Sequence, residues 1–360
     1  MDFGLSEEQR MLQDSVTGYL AAHCELQVVR DAAESAEAQV PALAAGLMEL
    51  GVTGILIPGE YGGVNMGGLE AALVAEALGY FAAPVAYVAS SVMAPLALQR
   101  AGSPAQKEEW LPQLAAGECV AGVGVTEQIG RRQGDGVQAS GGRLSGEALF
   151  VLDVDGADLF FLADQQGLLY VVAAADVEIT RLRTIDRTRS VAAISMQDTP
   201  AQVLPGSSES PQALHECIAM GRVMLAADTL GAAQKMLDDS VAYAKERKQF
   251  ERVIGSFQAV KHMCAEMAAE LEPCRALVWY AAHAQSAVPA DAQLMACQTK
   301  AHLAEVGRMV ARTATEVHGG MGMTDLLGLH YWFKRIGVNR QLLGAPELVR
   351  EEAAQVQGWC

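Results

Sequence analysis

Three short stretches of the chain combine residue types that can bind a phosphate-containing ligand. The first is the run from His318 to Gly322, in which three glycines directly follow a predicted helix. Glycines without a β-carbon let a ligand approach the backbone, and free amides there can contact phosphate oxygens. An ordinary helix end is the alternative interpretation, because glycine is common at helix C-termini.

The second stretch runs from Tyr243 to Phe250 and carries Lys245, Arg247 and Lys248 near a predicted helix end. Cations at that place complement the helix dipole, so a solvated helix terminus is one interpretation. The other is a pyrophosphate clamp, because a guanidinium group offers a planar fork of donors. The residues of this stretch alone leave both interpretations open.

The third stretch begins at Thr126, which ends a predicted strand and precedes a loop rich in glycine and arginine. A hydroxyl group at a strand end can form a hydrogen bond to a flat polar ring. The same loop is otherwise a solvated turn. The scattered histidines have no ligand-like spacing, so no metal site is predicted.

Composition limits the class of protein. The chain has 360 residues, of which 51% are hydrophobic, and its 43 acidic and 26 basic residues give a net charge of −17. These values predict a folded protein, and they argue against a nucleic-acid partner, whose phosphates require a basic surface. The seven cysteines form no CxxC pair and the first residues contain no basic leader, so a cytoplasmic protein is expected. The uncharged run 78–99 is interrupted by Pro84 and Pro95, which favours a buried helical segment over a membrane span.

The order of elements predicts the α+β multi-domain class. Residues 1–118 show helical periodicity and predict an N-terminal all-α domain. Residues 119–205 contain short apolar runs separated by Gly, Asp and Ser, which predict an antiparallel sheet or barrel. Residues 206–360 return to long helices and predict a C-terminal four-helix bundle. This order excludes a doubly wound dinucleotide fold, in which strands and helices alternate.

Several motifs, taken in order, resemble the acyl-CoA dehydrogenase superfamily over nearly the whole chain. The ending His330–Arg335 resembles the small subunits of two-gene heteromeric members, such as that of pimeloyl-CoA dehydrogenase. The motifs that carry the family resemblance are Phe3–Gln9, Ile57–Gly63, Val125–Glu127, Gly156–Asp158, Tyr243–Phe250, Phe257–Gln258 and Glu316–Thr324.

The resemblance implies a reaction for which this chain lacks the base. Members of the family remove the α-proton of an acyl-CoA with a glutamate, while the β-hydrogen leaves as hydride to FAD. That glutamate occupies one of two places, which correspond here to Gly344, counted from Arg335, and to Gly221, directly before Arg222. Gly221 and Arg222 are expected to lie at the substrate position. Asp228, two helical turns beyond Gly221, is the fallback base.

The resemblance also implies a divided flavin site. The residues expected on the diphosphate side are Arg247, Phe250, Gln258, Gly319 and Gly320, with Glu316 where the family has glutamine. On the ring side Thr126 remains, but Leu152 stands where the family has a threonine, and leucine cannot form a hydrogen bond to flavin N5. In the same frame, Arg131 and Arg132 are expected either at the nucleotide end of coenzyme A or in solvent.

We therefore expect one subunit of a heteromeric FAD-dependent acyl-CoA dehydrogenase. Its partner is a second acyl-CoA dehydrogenase-like subunit in an α2β2 heterotetramer, which carries the missing glutamate and acts on an acyl-CoA. Two alternatives remain. One is a flavin-free scaffold subunit without ligand contacts, and the other is a homomeric acyl-CoA dehydrogenase that uses Asp228 as a displaced base.

Overall fold

The N-terminal third of the chain is helical. The computed structural model describes residues 4–35, 38–130 and 136–359. The first helix begins with a capping box in which the Ser6 hydroxyl accepts the Gln9 amide and the Gln9 side chain accepts the Ser6 amide, as the spacing predicts. The helices are α1 (Glu7–His23), α2 (Leu26–Glu34), α3 (Pro41–Glu49), α4 (Gly68–Tyr80), α5 (Ala94–Ala101) and α6 (Pro104–Ala115), with a π-helical segment at Val88–Met93 before α5.

A twisted sheet forms the middle of the chain. Its main strands run in the order β6-β7-β3-β1-β4-β5-β8, and β2 pairs with β3. The sheet strands are β1 (Ala121–Gly124), β2 (Gln138–Ser140), β3 (Arg143–Leu152), β4 (Leu159–Ala163), β5 (Leu169–Ala173), β6 (Glu178–Arg181), β7 (Val191–Pro200) and β8 (Gln202–Val203).

The expectation of a purely antiparallel sheet or barrel is wrong in one respect. Strands β1 and β4 pair in parallel, with Ala121 opposite Leu159, so the sheet is mixed and open. The reason is the position of β1 between β3 and β4. After β3 the chain reverses direction in a short turn and joins the far side of β1, and it therefore runs the same way as β1.

Long helices make up the C-terminal part, and they confirm the predicted helical bundle. The helices α8, α9 and α10 pack against one another, α11 packs on α8 and α10, and α12 packs on α10. Close contact between α4 and α8 requires glycine, because a β-carbon on Gly79 would lie 1.9 Å from the Asp228 carbonyl oxygen. The helices are α7 (Gly206–Glu209), α8 (Gln212–Glu246), α9 (Gln258–Ala287), α10 (Pro289–His318), α11 (Leu329–Gln341) and α12 (Pro346–Val356), and a hairpin of β9 (Lys248–Gln249) and β10 (Arg252–Val253) joins α8 to α9.

The predicted fold class is confirmed: a helical region, one face of a central sheet and a second helical region share a large apolar core, and the rest of the sheet has a smaller core of its own. The uncharged run that ends at Gln99 is buried within it, as expected. Among the described residues, no helix is both long enough and apolar enough to span a bilayer.

Candidate active site

Gly221 and Gly344, the positions expected to correspond to the family's glutamate, both lie next to Arg222 in the interior. A β-carbon on Gly221, in α8, would lie 2.6 Å from Leu343 Cδ1 and 2.7 Å from Met93 Sδ. A β-carbon on Gly344 would lie 3.4 Å from Arg222 Nη2. At Gly221 the space for a larger side chain is therefore filled by Leu343 and Met93. Gly344 instead packs against Val349 and lines a cavity on its other side.

Arg222 is bound in place beside this region. Its side chain is almost fully buried, and its Nη1 and Nη2 donate to Glu352 Oε1 and Oε2 at 2.9 and 2.8 Å. Its Nε donates to the Leu343 carbonyl at 2.9 Å. Burial alone would raise the pKa of Glu352, but the hydrogen bonds and charge of Arg222 hold it below its ordinary value. Glu352 is therefore an ionised partner of Arg222.

A buried lysine holds the turn that carries Leu343. Both Leu343 and Gly344 adopt positive φ, +55° and +107°, which is a strained conformation for leucine. Lys300 Nζ donates to the carbonyl oxygens of Arg340 and Gly344, each at 3.1 Å. Burial, with the nearby charges of Arg222 and Arg340, lowers the pKa of Lys300 to about 7. Together with Arg222, this lysine fixes the turn that directs Leu343 toward Gly221.

Asp228, the fallback base, lies in a different setting. It is 2% exposed and accepts hydrogen bonds from Arg335 Nη2 at 2.7 Å and from Asn339 Nδ2 at 2.6 Å. Arg189 Nη2 forms an ion pair with it at 2.8 Å. Burial alone would raise the pKa of Asp228, but the two guanidinium groups and the hydrogen bonds lower it to about 2. Such a carboxylate has little tendency to accept a proton.

A cavity of about 630 Å³ lies between the sheet and the turn at Leu343. Thr126 lines it, as the ring-side expectation requires, together with Leu152. The Thr126 hydroxyl donates to the Leu149 carbonyl at 2.6 Å, so its proton is already used. A bulge in β3 between Ala148 and Val151 gives Phe150 a φ of +52° and turns it to the mouth of the cavity.

The diphosphate-side candidates lie on the surface. Arg247 caps the end of α8, Phe250 lies at the hairpin between β9 and β10, and Gln258 begins α9. Phe250 is 87% exposed and has a φ of +52°. Among the described residues no carboxylate lies within ion-pair distance of Arg247. Phe250 packs edge-on against the Phe257 ring and the Gln258 side chain is hydrogen-bonded to His262, so of the three only Arg247 has no side-chain partner among the described residues.

The glycine-rich turn lies beside the same helix end. The ring of Tyr243, one turn before Arg247, stacks on His318 with centroids 4.6 Å apart. Gly319 follows with φ +60° and ψ −140°, which only glycine adopts readily, and both Gly319 and Gly320 are exposed. Glu316 is also exposed at this end of α10. The stacked pair thus joins the two segments that the sequence suggested for diphosphate binding.

Sequence reasoning missed the residues that fill and hold the interior region: Met93, Lys300, Leu343 and Glu352. Each lies far along the chain from its partner; Arg222 and Glu352 are 130 residues apart. Only the order Arg222 after Gly221 hinted at a buried cation that needs a carboxylate. Arg131 and Arg132 lie outside the described residues.

Comparison with known proteins identifies the family. Residues 6–118 match the acyl-CoA dehydrogenase N-terminal domain, and residues 212–357 match the acyl-CoA dehydrogenase C-terminal domain. The acyl-CoA dehydrogenase IpdE2 of Mycolicibacterium smegmatis is 30% identical over 358 residues, which cover 98% of this chain and 100% of that protein. The chain therefore belongs to the acyl-CoA dehydrogenase family.

Solved structures of similar fold include heteromeric complexes. The ChsE4-ChsE5 complex from Mycobacterium tuberculosis matches with a TM-score of 0.91 and 26% identity, covering 100% of both chains. The Tcur3481-Tcur3483 steroid acyl-CoA dehydrogenase, a G363A variant, matches with a TM-score of 0.88 and 26% identity over 98% of both chains. These similarities agree with the heteromeric type that the ending His330–Arg335 suggested.

Proposed function

We propose that this chain is one subunit of a heteromeric FAD-dependent acyl-CoA dehydrogenase, and that it is the subunit that does not remove the α-proton of the substrate. The observation that carries the proposal is glycine at both Gly221 and Gly344, together with the packed space at Gly221. Neither position has a proton acceptor, and Leu343 and Met93 occupy the space beside Gly221. The partner subunit then supplies the glutamate, and the acyl-CoA binds at the partner's base. Such a pair assembles as an α2β2 heterotetramer in the cytoplasm.

The chemistry explains why the glycines matter. The α-proton of a thioester is weakly acidic, so its removal needs a positioned base and hydrogen bonds to the developing enolate oxygen. Glu352 is a carboxylate beside this region, but both of its oxygens are bonded to Arg222. Its low pKa and its paired state make it a poor base. The lone chain is therefore expected to have no dehydrogenase activity.

The surface residues fit the diphosphate of an FAD held by the partner. Arg247 presents an unpaired guanidinium fork, and the exposed backbone at Gly319 and Gly320 admits close approach. Phe250 and Gln258 lie beside Arg247 around the hairpin. The flavin, when bound, accepts the hydride. This chain contributes charge and backbone contacts that orient the cofactor in the neighbouring site.

A flavin-free scaffold is the second candidate, and Glu316 favours it. This exposed carboxylate lies at the end of α10, directly before the glycine-rich turn, and it would repel a diphosphate. The homomeric alternative requires Asp228 as base. The ion pairs of Asp228 with Arg189 and Arg335 and its low pKa argue against that role.

The decisive experiment measures the flavin content of the two-chain complex. The chain is co-expressed with its partner, and bound FAD is measured from absorbance for the wild type and for Arg247→Ala. We expect loss of most of the FAD, whereas Arg312→Ala, an exposed arginine of α10, leaves the FAD content unchanged. Unchanged FAD in Arg247→Ala supports the scaffold. Turnover by the lone chain refutes both and, if Asp228→Ala abolishes it, supports the homomeric enzyme.

A further inference from the structure

The cavity next to Thr126 has an apolar floor and an exposed apolar mouth. The floor is formed by Val123, Val125 and Leu152, each at most 5% exposed. At the mouth Phe150 and Ile185 are 48% and 61% exposed. Exposed apolar side chains around a deep apolar cavity are typical of a binding site. At about 630 Å³ the cavity is large enough for a small organic ligand.

The polar side chains of the cavity do not suit an isoalloxazine ring. That ring system has several carbonyl and nitrogen groups at its edge, and each costs free energy if buried without a partner. The hydroxyl of Thr126 donates to the Leu149 carbonyl, and the hydroxyl of Thr184 donates to the Asp186 carbonyl at 2.5 Å. The lining side chains that remain uncommitted are those of Arg183 and Gln341, and both residues are exposed.

Arg183 gives the mouth a positive charge. It belongs to a short segment with four arginines, of which Arg181 pairs with Asp155 and Arg189 pairs with Asp228. Within the described chain, no carboxylate lies within ion-pair distance of Arg183. Arg187, exposed like Arg183, lines an adjoining cleft but not this cavity. An uncompensated cation at the entrance of an apolar cavity complements a ligand with an anionic end.

We infer that this cavity binds an amphipathic carboxylate, with its apolar body against Val123, Val125 and Leu152 and its carboxylate at Arg183. The cavity then holds a free aliphatic or ring-bearing acid rather than a flavin. Gly344 lines part of this cavity, but the inference depends neither on the absence of a base there nor on the diphosphate-side residues, so it stands apart from the proposed function.

Calorimetric titration of the two-chain complex with octanoate and with 1-octanol tests whether the positive charge of Arg183 contributes to ligand binding. Octanoate should bind with one site per copy of this chain. Arg183→Gln should weaken octanoate binding about tenfold, because a charge-assisted contact is lost, and should leave 1-octanol binding unchanged. Arg187→Gln serves as the matched control and should bind octanoate like the wild type.

A second variant tests the cavity itself. A β-carbon on Gly337, in α11, would lie 3.4 Å from Ile185 Cδ1, the flexible end of an exposed side chain. Gly337→Phe therefore directs a ring to the mouth of the cavity without backbone strain. It should abolish binding of both octanoate and 1-octanol. Gly18→Phe, at an exposed position of α1 with open space, is the control for folding.

Two results would overturn the inference. One is octanoate binding that Arg183→Gln and Gly337→Phe leave unchanged. The other is an FAD content of two per pair of chains that Gly337→Phe reduces to one, which places a flavin in this cavity. Loss of FAD in Arg247→Ala concerns the partner's site, so failure of the proposed function and failure of this inference give different results.

Discussion

The interior at Gly221 and the surface at Arg247 lie on the same long helix but differ in character. Around Gly221 the space for a catalytic side chain is filled by Leu343 and Met93, and the nearby ions are paired. Around Arg247 the charged and aromatic side chains are mostly exposed, and among the described residues Arg247 has no ion-pair partner. Under the proposed function, the first region is closed by packing because it holds no base, and the second stays open because it serves the partner subunit.

The largest expected effect concerns Asp228. In the contrast between interior and surface, Asp228 belongs to the interior, where we expect it to stabilise the fold rather than act as a base. Asp228→Asn leaves Arg189 and Arg335 buried without their carboxylate and should lower the free energy of unfolding by about 3 to 5 kcal/mol. Urea unfolding at pH 7 measures this. Since the folded pKa is about 2 and the ordinary value is 3.8, the wild-type contribution is present above pH 3.8 and is lost as the pH falls toward 2. Unchanged stability with lost turnover would instead identify a base.

Restoring a carboxylate at Gly221 tests whether the interior is truly closed. Gly221→Glu forces side-chain atoms into Leu343 and Met93 and buries a charge, so we expect about 3 kcal/mol lower stability and no dehydrogenase activity. Gly18→Glu, on the exposed face of α1, controls for the loss of a glycine and should stay near wild-type stability. Activity gained by the lone Gly221→Glu chain would contradict the closed interior.

A substitution of Phe250 tests whether the exposed surface near Arg247 contacts the partner subunit. Its side chain is 87% exposed, so Phe250→Ala should leave the unfolding of the lone chain unchanged within about 0.5 kcal/mol. In the two-chain complex the same change should weaken association by about 2 kcal/mol, as loss of an aromatic interface anchor does. Sedimentation or calorimetry measures the affinity. Met11→Ala, an exposed apolar residue of α1, is the control and should not weaken the complex.

The remaining prediction is a pH dependence and concerns Lys300 and the strained turn at Leu343. Because the pKa of Lys300 is about 7 in the folded chain and 10.5 ordinarily, the unfolded chain binds more protons between these values. Stability should therefore rise with pH in this window by up to about 1.4 kcal/mol per pH unit. Lys300→Met should remove this rise, whereas Lys261→Met, an exposed residue of α9, should retain it. Parallel pH profiles for wild type and Lys300→Met would contradict the burial of this cation.

The elements near the site were predictable to different degrees. The capping box at Ser6 and the long helices within residues 206–360 follow from local residue patterns, and both are observed. The parallel pairing of β1 with β4 was not predicted, because short apolar runs do not encode which strand a neighbour joins. The partners of Asp228 were not predicted either, since Arg335 lies 107 residues away.

The sequence by itself determined that positions 221 and 344 offer no proton acceptor, because glycine has no side-chain acceptor in any fold. It also determined the order of helices, strands and helices, since periodicity is a local property. Only the tertiary structure decided that the vacated space is filled by Leu343 and Met93, that Arg222 is neutralised by Glu352, and that Arg247 remains exposed. Those outcomes depend on contacts between residues far apart in the chain, and packing density and charge pairing set them.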